Sequence, residues 1–309
     1  MRSAAGSTCL IILFFLMLLL QSCTSYDEQK KELPDAFDRG TIYVSADETF
    51  KPIIDAQVQV YESSDPDAKI IVHYKPEAEC LRDFANDSVR VIIATRGYTQ
   101  SEENFMVDSM KVAPSTMTVA RDAIAVIVNP LAEDSLFTMQ ELRDILKGKF
   151  TKKLIPVFDG VKATSTVRFI VDSVLHSDSL SPGTVAARTS EAVIDYVAKT
   201  LDAIGFIGVS WIGNKEDTAQ MNFLKKVKVV RLESTDRPGE FVLPYQINIS
   251  SKTYPMVRDL VYTLKENYRG LGTGFTEFMA GERGQLIFKR AYLAPARRSF
   301  YVRKVRLRE

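Results

Sequence analysis

From Gly40 onward, short β-rich apolar runs alternate with stretches of helical spacing. Thr41–Val44 reads as a strand. Phe50–Tyr61 reads as a helix, with Thr49 as N-cap and Pro52 in its first turn. Lys69–Tyr74 is a second strand, Ala78–Asn86 a helical stretch and Val89–Ala94 a third strand. Thr99-Gln100-Ser101-Glu102 has capping-box spacing before another helix. Ala123–Val128 is continuously apolar, as expected of a strand buried on both faces. The second half repeats the grammar. Thr138-Met139-Gln140-Glu141 is another capping box, Leu142, Ile145 and Leu146 follow at helical spacing, and Gly148 marks the stop. Leu154–Phe158 and Phe206–Val209 read as strands, and Val167–Leu175 and Ala192–Leu201 as helices. This alternation predicts an α/β fold with mainly parallel sheets.

The N-terminus follows a different pattern. Arg2 precedes an apolar run from Leu10 to Leu20, then Gln21-Ser22-Cys23. A basic start, a short apolar stretch and a small residue before cysteine describe a cleaved lipoprotein signal. The run is shorter than the roughly 20 residues that span a bilayer. The expectation is a signal peptide over residues 1–22 and acylation, palmitate included, of Cys23. A polar tether would follow over residues 23–39. The folded part would then lie in the bacterial cell envelope, lipid-anchored and facing the periplasm or exterior.

Composition narrows the function. Of 309 residues, 46% are hydrophobic, enough for a substantial core. Basic and acidic residues number 40 and 39, so no global charge argues for nucleic acid. With Cys9 in the signal and Cys23 lipidated, Cys80 has no internal partner. Two histidines argue against a multi-histidine metal site. No Walker loop, dinucleotide fingerprint or Gly-x-Ser-x-Gly nucleophile motif is present. Neither an enzyme, a cofactor nor a metal is expected. The basic, alternating tail Arg297–Arg308 reads as a final strand with one solvated face.

Polar loops follow four strand ends: Ser45–Phe50, Lys75–Ala78, Thr95–Gln100 and Asp159–Thr166. In open α/β sheets, ligands bind beyond the carboxyl ends of strands, where helix N-termini suit anions. Ser45, Thr49, Thr95, Thr164, Ser165 and Thr166 offer hydroxyls there, and Lys75, Arg96 and Lys162 offer charge. Taken singly, a Ser or Thr at a helix start is a cap. A lone arginine there is usually paired with a surface acid, such as Glu102 or Glu103 beside Arg96. Convergence at several strand ends makes the case.

The order of segments resembles the substrate-binding proteins of phosphate-type ABC importers, which have the type II periplasmic binding fold. The similar stretches are Val119–Pro130, Thr138–Gly148, Ala203–Gly208, Tyr254-Pro255 and Phe275–Pro295. Ser45, Thr49 and Phe50 match the family's first binding loop, Thr95-Arg96 resembles its Ser-Arg pair, and Thr164-Ser165-Thr166 resembles its Ser-Gly-Thr. There are departures. Asp47 and Glu48 intrude in the first loop, the second reads Lys75-Pro76-Glu77-Ala78, and the arginine preceding the last motif is absent, Lys162 standing nearest.

The resemblance implies two lobes, each a mainly parallel sheet flanked by helices. Lobe 1 would comprise residues 40–127 plus 246–309, and lobe 2 residues 128–245. It implies a small anionic ligand, phosphate or a related oxyanion, held between the lobes and handed to an ABC permease. Arg96 and the Thr164–Thr166 loop are expected to face each other across the cleft. The altered loops support an alternative: a non-transport sensor or assembly lipoprotein that keeps the fold.

Overall fold

A computed structural model describes residues 35–86, 88–111, 113–160, 164–176 and 179–297. The expected lipoprotein signal, Cys23, most of the expected tether, Lys162 and the tail beyond Arg297 lie outside the described residues. The described residues from Ala36 onward form one compact unit.

The first elements are β1 (Gly40–Asp47), α1 (Lys51–Ser64), β2 (Ala68–Lys75), α2 (Glu77–Arg82), β3 (Val89–Ala94), α3 (Gln100–Phe105) and the long strand β4 (Ser115–Val128). Then come β5 (Leu136–Phe137), α4 (Met139–Leu146), β6 (Ile155–Phe158), α5 (Ser165–Phe169), β7 (Val185–Ala186), α6 (Ser190–Lys199) and β8 (Ala203–Gly208). The last part holds α7 (Thr218–Lys226), β9 (Lys228–Val229), β10 (Arg231–Glu233), β11 (Phe241–Val242), α8 (Gln246–Ser251), β12 (Val257–Leu264), α9 (Leu271–Ala280), α10 (Glu282–Arg290) and β13 (Ala294–Pro295).

The main sheet runs β2-β1-β3-β12-β4-β8-β6-β7. It contains two parallel sets. β1 pairs in parallel with β2 and β3, and β6 with β7 and β8. β4 and β12 join them with antiparallel pairings. β4 pairs with β12 from Ser115 to Ala123, then with β8 from Ile124 to Val128. This is the α/β fold the alternation predicted, in the two-lobed form the resemblance implied.

Local chemistry explains the elements. Ala123–Val128 is fully buried because sheet neighbours and helices cover both faces. Both capping boxes form: Thr99 with Glu102, and Thr138 with Glu141. Leu142, Ile145 and Leu146 turn one face of α4 into the core. The helix expected from Val167 starts two residues earlier, where Thr164 caps it, and widens after Phe169 into a π-type turn over Ile170–Val174. Phe158 and Phe206 stack at 4.6 Å, fixing β6 against β8. The carboxyl ends of β1 and β6 meet through Thr49 and Asp159, and those of β2 and β3 through Glu77 and Thr95.

Candidate functional site

The loop after β1 turns tightly. The Asp47 carboxylate accepts the Thr49 N–H at 2.9 Å and starts a single 3₁₀ turn, Glu48–Phe50. Thr49 is buried and donates its hydroxyl to Asp159 Oδ2 at 3.2 Å, joining the end of β1 to the end of β6. The Thr49 carbonyl accepts Trp211 Nε1 at 2.9 Å and the Ser210 hydroxyl at 3.3 Å. Trp211 is therefore a packed core residue whose indole N–H fixes the Thr49 turn. Glu48 reaches the first turn of α6, accepting the Ser190 hydroxyl at 3.0 Å and the Ser190 N–H at 3.3 Å. A carboxylate suits that positive helix end.

The loop after β2 brings Glu77 to the start of α2. Its side chain is 2% exposed. Oε1 accepts the Thr95 N–H at 2.9 Å and the Thr95 hydroxyl at 2.5 Å. From α5, Arg168 Nε donates to Glu77 Oε2 at 2.6 Å, and its Nη2 donates to Thr95 Oγ1 at 2.6 Å and to Glu77 Oε1 at 3.4 Å. The Thr95 hydroxyl thus donates to Glu77 and accepts from Arg168 across the lobe boundary.

Arg258 on β12 supplies the second guanidinium. It stands directly opposite Asp122 in the β12–β4 register. Its Nε and Nη2 both lie 2.9 Å from Asp122 Oδ2, and both side chains are almost fully buried. Nη1 donates to Ser165 Oγ at 3.0 Å and Thr166 Oγ1 at 3.3 Å, while the guanidinium lies 5.2 Å from the Phe50 ring centre. A cross-strand ion pair thus aims the hydroxyls that open α5.

These acids are unequal. Burial raises Asp47 and Asp122, against the pull of Arg258 on both. Burial and the nearby Asp47 charge push Asp159 up to about 6. Burial and Asp159 push Glu48 up to about 7. Burial opposes ionisation of Glu77 as well, but the hydrogen bond and charge of Arg168, with the hydrogen bonds from Thr95, outweigh it and hold Glu77 below its ordinary value.

The structure places the sequence-predicted residues in three groups. Thr49, Phe50, Thr95, Thr164, Ser165 and Thr166 are buried at the meeting of the lobes, Thr164 as the cap of α5. Ser45 and Lys75 both bind Asp83, Lys75 Nζ at 2.6 Å from its Oδ2. Arg96 donates to Glu102 at 3.0 and 3.3 Å and to the Gly97 carbonyl at 2.9 Å. Arg96 shares a cavity lining with Val167 and Arg168, Arg168 reaches across to Glu77 and Thr95, and Arg258 meets Ser165 and Thr166. The sequence signal for Arg258 was a lone arginine in the apolar run Val257–Leu264; for Arg168, its position one turn after Thr164.

Beside the Glu77–Arg168 pair opens a cavity of about 760 Å³. Arg82, Arg96 and Arg168 with Glu77, Glu102 and Asp172 give it balanced charge; Leu81, Phe105, Met106 and Val171 give it an apolar wall. Among the described residues, no group of His, Cys, Asp and Glu has an arrangement to hold a metal ion.

The model of the PBP superfamily domain matches residues 33–283. Among solved structures, the chain is similar to a putative phosphate ABC transporter substrate-binding protein with bound phosphate from Clostridium perfringens. Identity is 18% and TM-score 0.68, covering 84% of this chain and 100% of that one. An ABC-type phosphate transport receptor from Vibrio cholerae follows at 18% and 0.61, covering 82% and 99%. PstS from Borrelia burgdorferi is similar at 18% and 0.53, covering 82% and 98%. At these identities the likeness carries the fold. No curated protein matches.

Proposed function

Because the chain belongs to the PBP superfamily, we propose that it is an extracytoplasmic solute-binding protein that takes a small anionic solute between its lobes. Lipid on Cys23 would tether it to the membrane, and an ABC-type permease would receive the solute. The observation that carries this reading is the cavity of about 760 Å³ at the strand ends, with Arg96 and Arg168 in its lining. A guanidinium grips an oxyanion or carboxylate through paired hydrogen bonds. The bound phosphate in the Clostridium perfringens structure supports the same class of ligand. Lobe 1 is taken as residues 40–127 plus 246–309 and lobe 2 as 128–245, with hinge motion about β4 and β12 exposing the cleft. Among the described residues, no helix is long and apolar enough to cross a membrane.

Asp47, Glu48, Glu77 and Asp159 in the cleft favour a second reading: a sensor or assembly lipoprotein that keeps the fold without transport. A thermal-shift and calorimetric screen with phosphate, sulfate, molybdate and small organic acids separates the two. Binding to the native state raises the melting temperature with solute concentration. Silence across the whole screen would overturn the solute-binding reading.

A further inference from the structure

We infer that Glu77 is an internal stand-in for the anion of the cleft: its carboxylate occupies the donor set formed by Thr95 and Arg168, and so decides which solutes can enter. The inference rests on the reading of this cleft as the solute site, and makes Glu77 a specificity-determining residue within it.

The donor inventory is the first argument. A backbone N–H just past a strand end, a hydroxyl and a guanidinium edge are what an oxyanion uses at such a position. Here they are Thr95 N and Oγ1 with Arg168 Nε and Nη2, and all four lie within hydrogen-bond distance of Glu77 or of one another. A second anion finds those donors already taken.

Competition is the second. Glu77 is tethered on α2, so it meets the donors at a high effective concentration, of the order of millimolar or above. Its side chain is 2% exposed while that of Arg168 is 36% exposed, so the carboxylate is dehydrated in place and returning it to water needs a shift of α2. A free anion must displace this group to bind.

Charge is the third. A phosphate dianion at Arg168 would also meet Asp172, whose Oδ2 lies 3.6 Å from Arg168 Nη1. The cleft therefore keeps out inorganic dianions. The solutes it admits are organic acids that use the adjoining cavity, with its apolar wall of Leu81, Phe105, Met106 and Val171, and leave Glu77 seated.

Chemical rescue tests this with the full-length protein. Melting temperature is followed by circular dichroism with formate, acetate or phosphate, against chloride at matched ionic strength. Wild type is expected to ignore millimolar phosphate and formate. Glu77→Ala should melt lower and recover as formate or phosphate saturates the vacated donors. Adding Arg168→Ala should abolish the recovery. An ordinary structural salt bridge would give the loss without the rescue. If Glu77→Ala fails to fold, Glu77→Gln keeps the size but sets an NH2 donor against Thr95 or Arg168, so it holds the donor set poorly and should bind phosphate at least about tenfold tighter than wild type, a gain of about 1.4 kcal/mol.

Tight phosphate binding by wild type would overturn the inference and leave the solute-binding reading standing. So would a Glu77→Ala protein, or a Glu77→Gln protein if Ala does not fold, no more responsive than wild type. Rescue of Glu77→Ala by formate alongside a wild type silent to every organic acid would support the role of Glu77 and sink the solute-binding reading alone.

Discussion

Glu77 and Arg168 lie 91 positions apart in the chain and meet across the cleft at 2.6 Å. The pair is asymmetric in solvent: the carboxylate is dehydrated and the guanidinium keeps about a third of its side chain in water. Each lobe contributes one partner, and Thr95 bridges them through its hydroxyl. The closeness of the two lobes in this structure is therefore written in the chain's own polar groups. Thr49 with Asp159, Glu48 with Ser190 and Arg258 with Ser165 add to it.

Arg168→Ala should be clearly destabilising. It leaves Glu77 buried with Thr95 as its remaining donor. Breaking a fully buried pair costs about 3–5 kcal/mol, and the partial exposure of Arg168 brings the expected loss to roughly 2–3 kcal/mol. Arg96→Ala removes a half-exposed pair with Glu102, for which less than about 1 kcal/mol is expected. Urea unfolding of both variants checks the order. Equal losses would mean that Glu77 finds another donor when Arg168 is gone.

Stability should rise as pH falls from about 8 to about 5.5. Asp159 is raised to about 6 and Glu48 to about 7 in the folded protein. Folding therefore takes up protons in this window, and the stabilisation is lost as pH rises through those values. Glu48 faces Asp159, Asp47 and Ser190; Asp159 faces Asp47, Arg258, Thr164 and Thr49. Glu77 works in the opposite sense and its contribution is lost only below its unfolded value of 4.5. Each pH unit by which folding moves a carboxyl's titration midpoint is worth about 1.4 kcal/mol, and a domain of this size gains roughly 2–4 °C per kcal/mol. A melting temperature flat over the window, or unchanged in slope by Asp159→Asn and Glu48→Gln together, would contradict this account.

What could be read from the sequence was whatever is local. The capping boxes at Thr99 and Thr138 need four residues each and formed as written. The run Ala123–Val128 needs only its own apolarity. Thr164, Ser165 and Thr166 stood out because a helix start attracts hydroxyls. Arg258 did not, because its meaning depends on a strand register that sets it opposite Asp122. Arg168 depends on how closely two lobes approach, which no spacing in the chain encodes. Asp47, Glu48 and Glu77 were visible as departures from an anion-binding loop, yet their partners in the other lobe were not.

The Arg258–Asp122 pair should show strong coupling in a double-mutant cycle. Asp122→Asn or Arg258→Met alone leaves a buried charge without its counterion, and about 3–5 kcal/mol is the usual cost. The double variant Asp122→Asn with Arg258→Met removes both charges and nearly keeps volume, so it should be more stable than either single variant. It should also loosen α5, since Ser165 and Thr166 lose their donor. Additive losses would refute the coupling.

Cys23→Ser should yield a precursor that takes up no labelled fatty acid. The expectation comes from the basic start, the Leu10–Leu20 run and the Ser22-Cys23 junction. Palmitate labelling of the variant at the wild-type level would end the lipid-anchor proposal.

Gly208→Ala should disturb the meeting of the lobes directly. A Cβ at Gly208 would sit 2.7 Å from Thr49 Cγ2, 3.3 Å from the Thr49 carbonyl oxygen and 3.4 Å from Arg258 Nη2. Thr49 cannot retreat cheaply, because its hydroxyl binds Asp159 and its carbonyl holds Trp211. Overpacking at such a site costs about 1–3 kcal/mol. The extra methyl should also speed amide exchange in the Asp47–Phe50 turn, read by hydrogen–deuterium mass spectrometry. Gly183→Ala is the control: its Cβ would meet just the Ser181 hydroxyl oxygen, at 3.7 Å. That change should be neutral or stabilise by a few tenths of a kcal/mol through the unfolded chain. If Gly208→Ala proved as stable as Gly183→Ala, the Thr49 turn would have to move aside freely, and the contact with Gly208 would not be what sets the distance between the lobes.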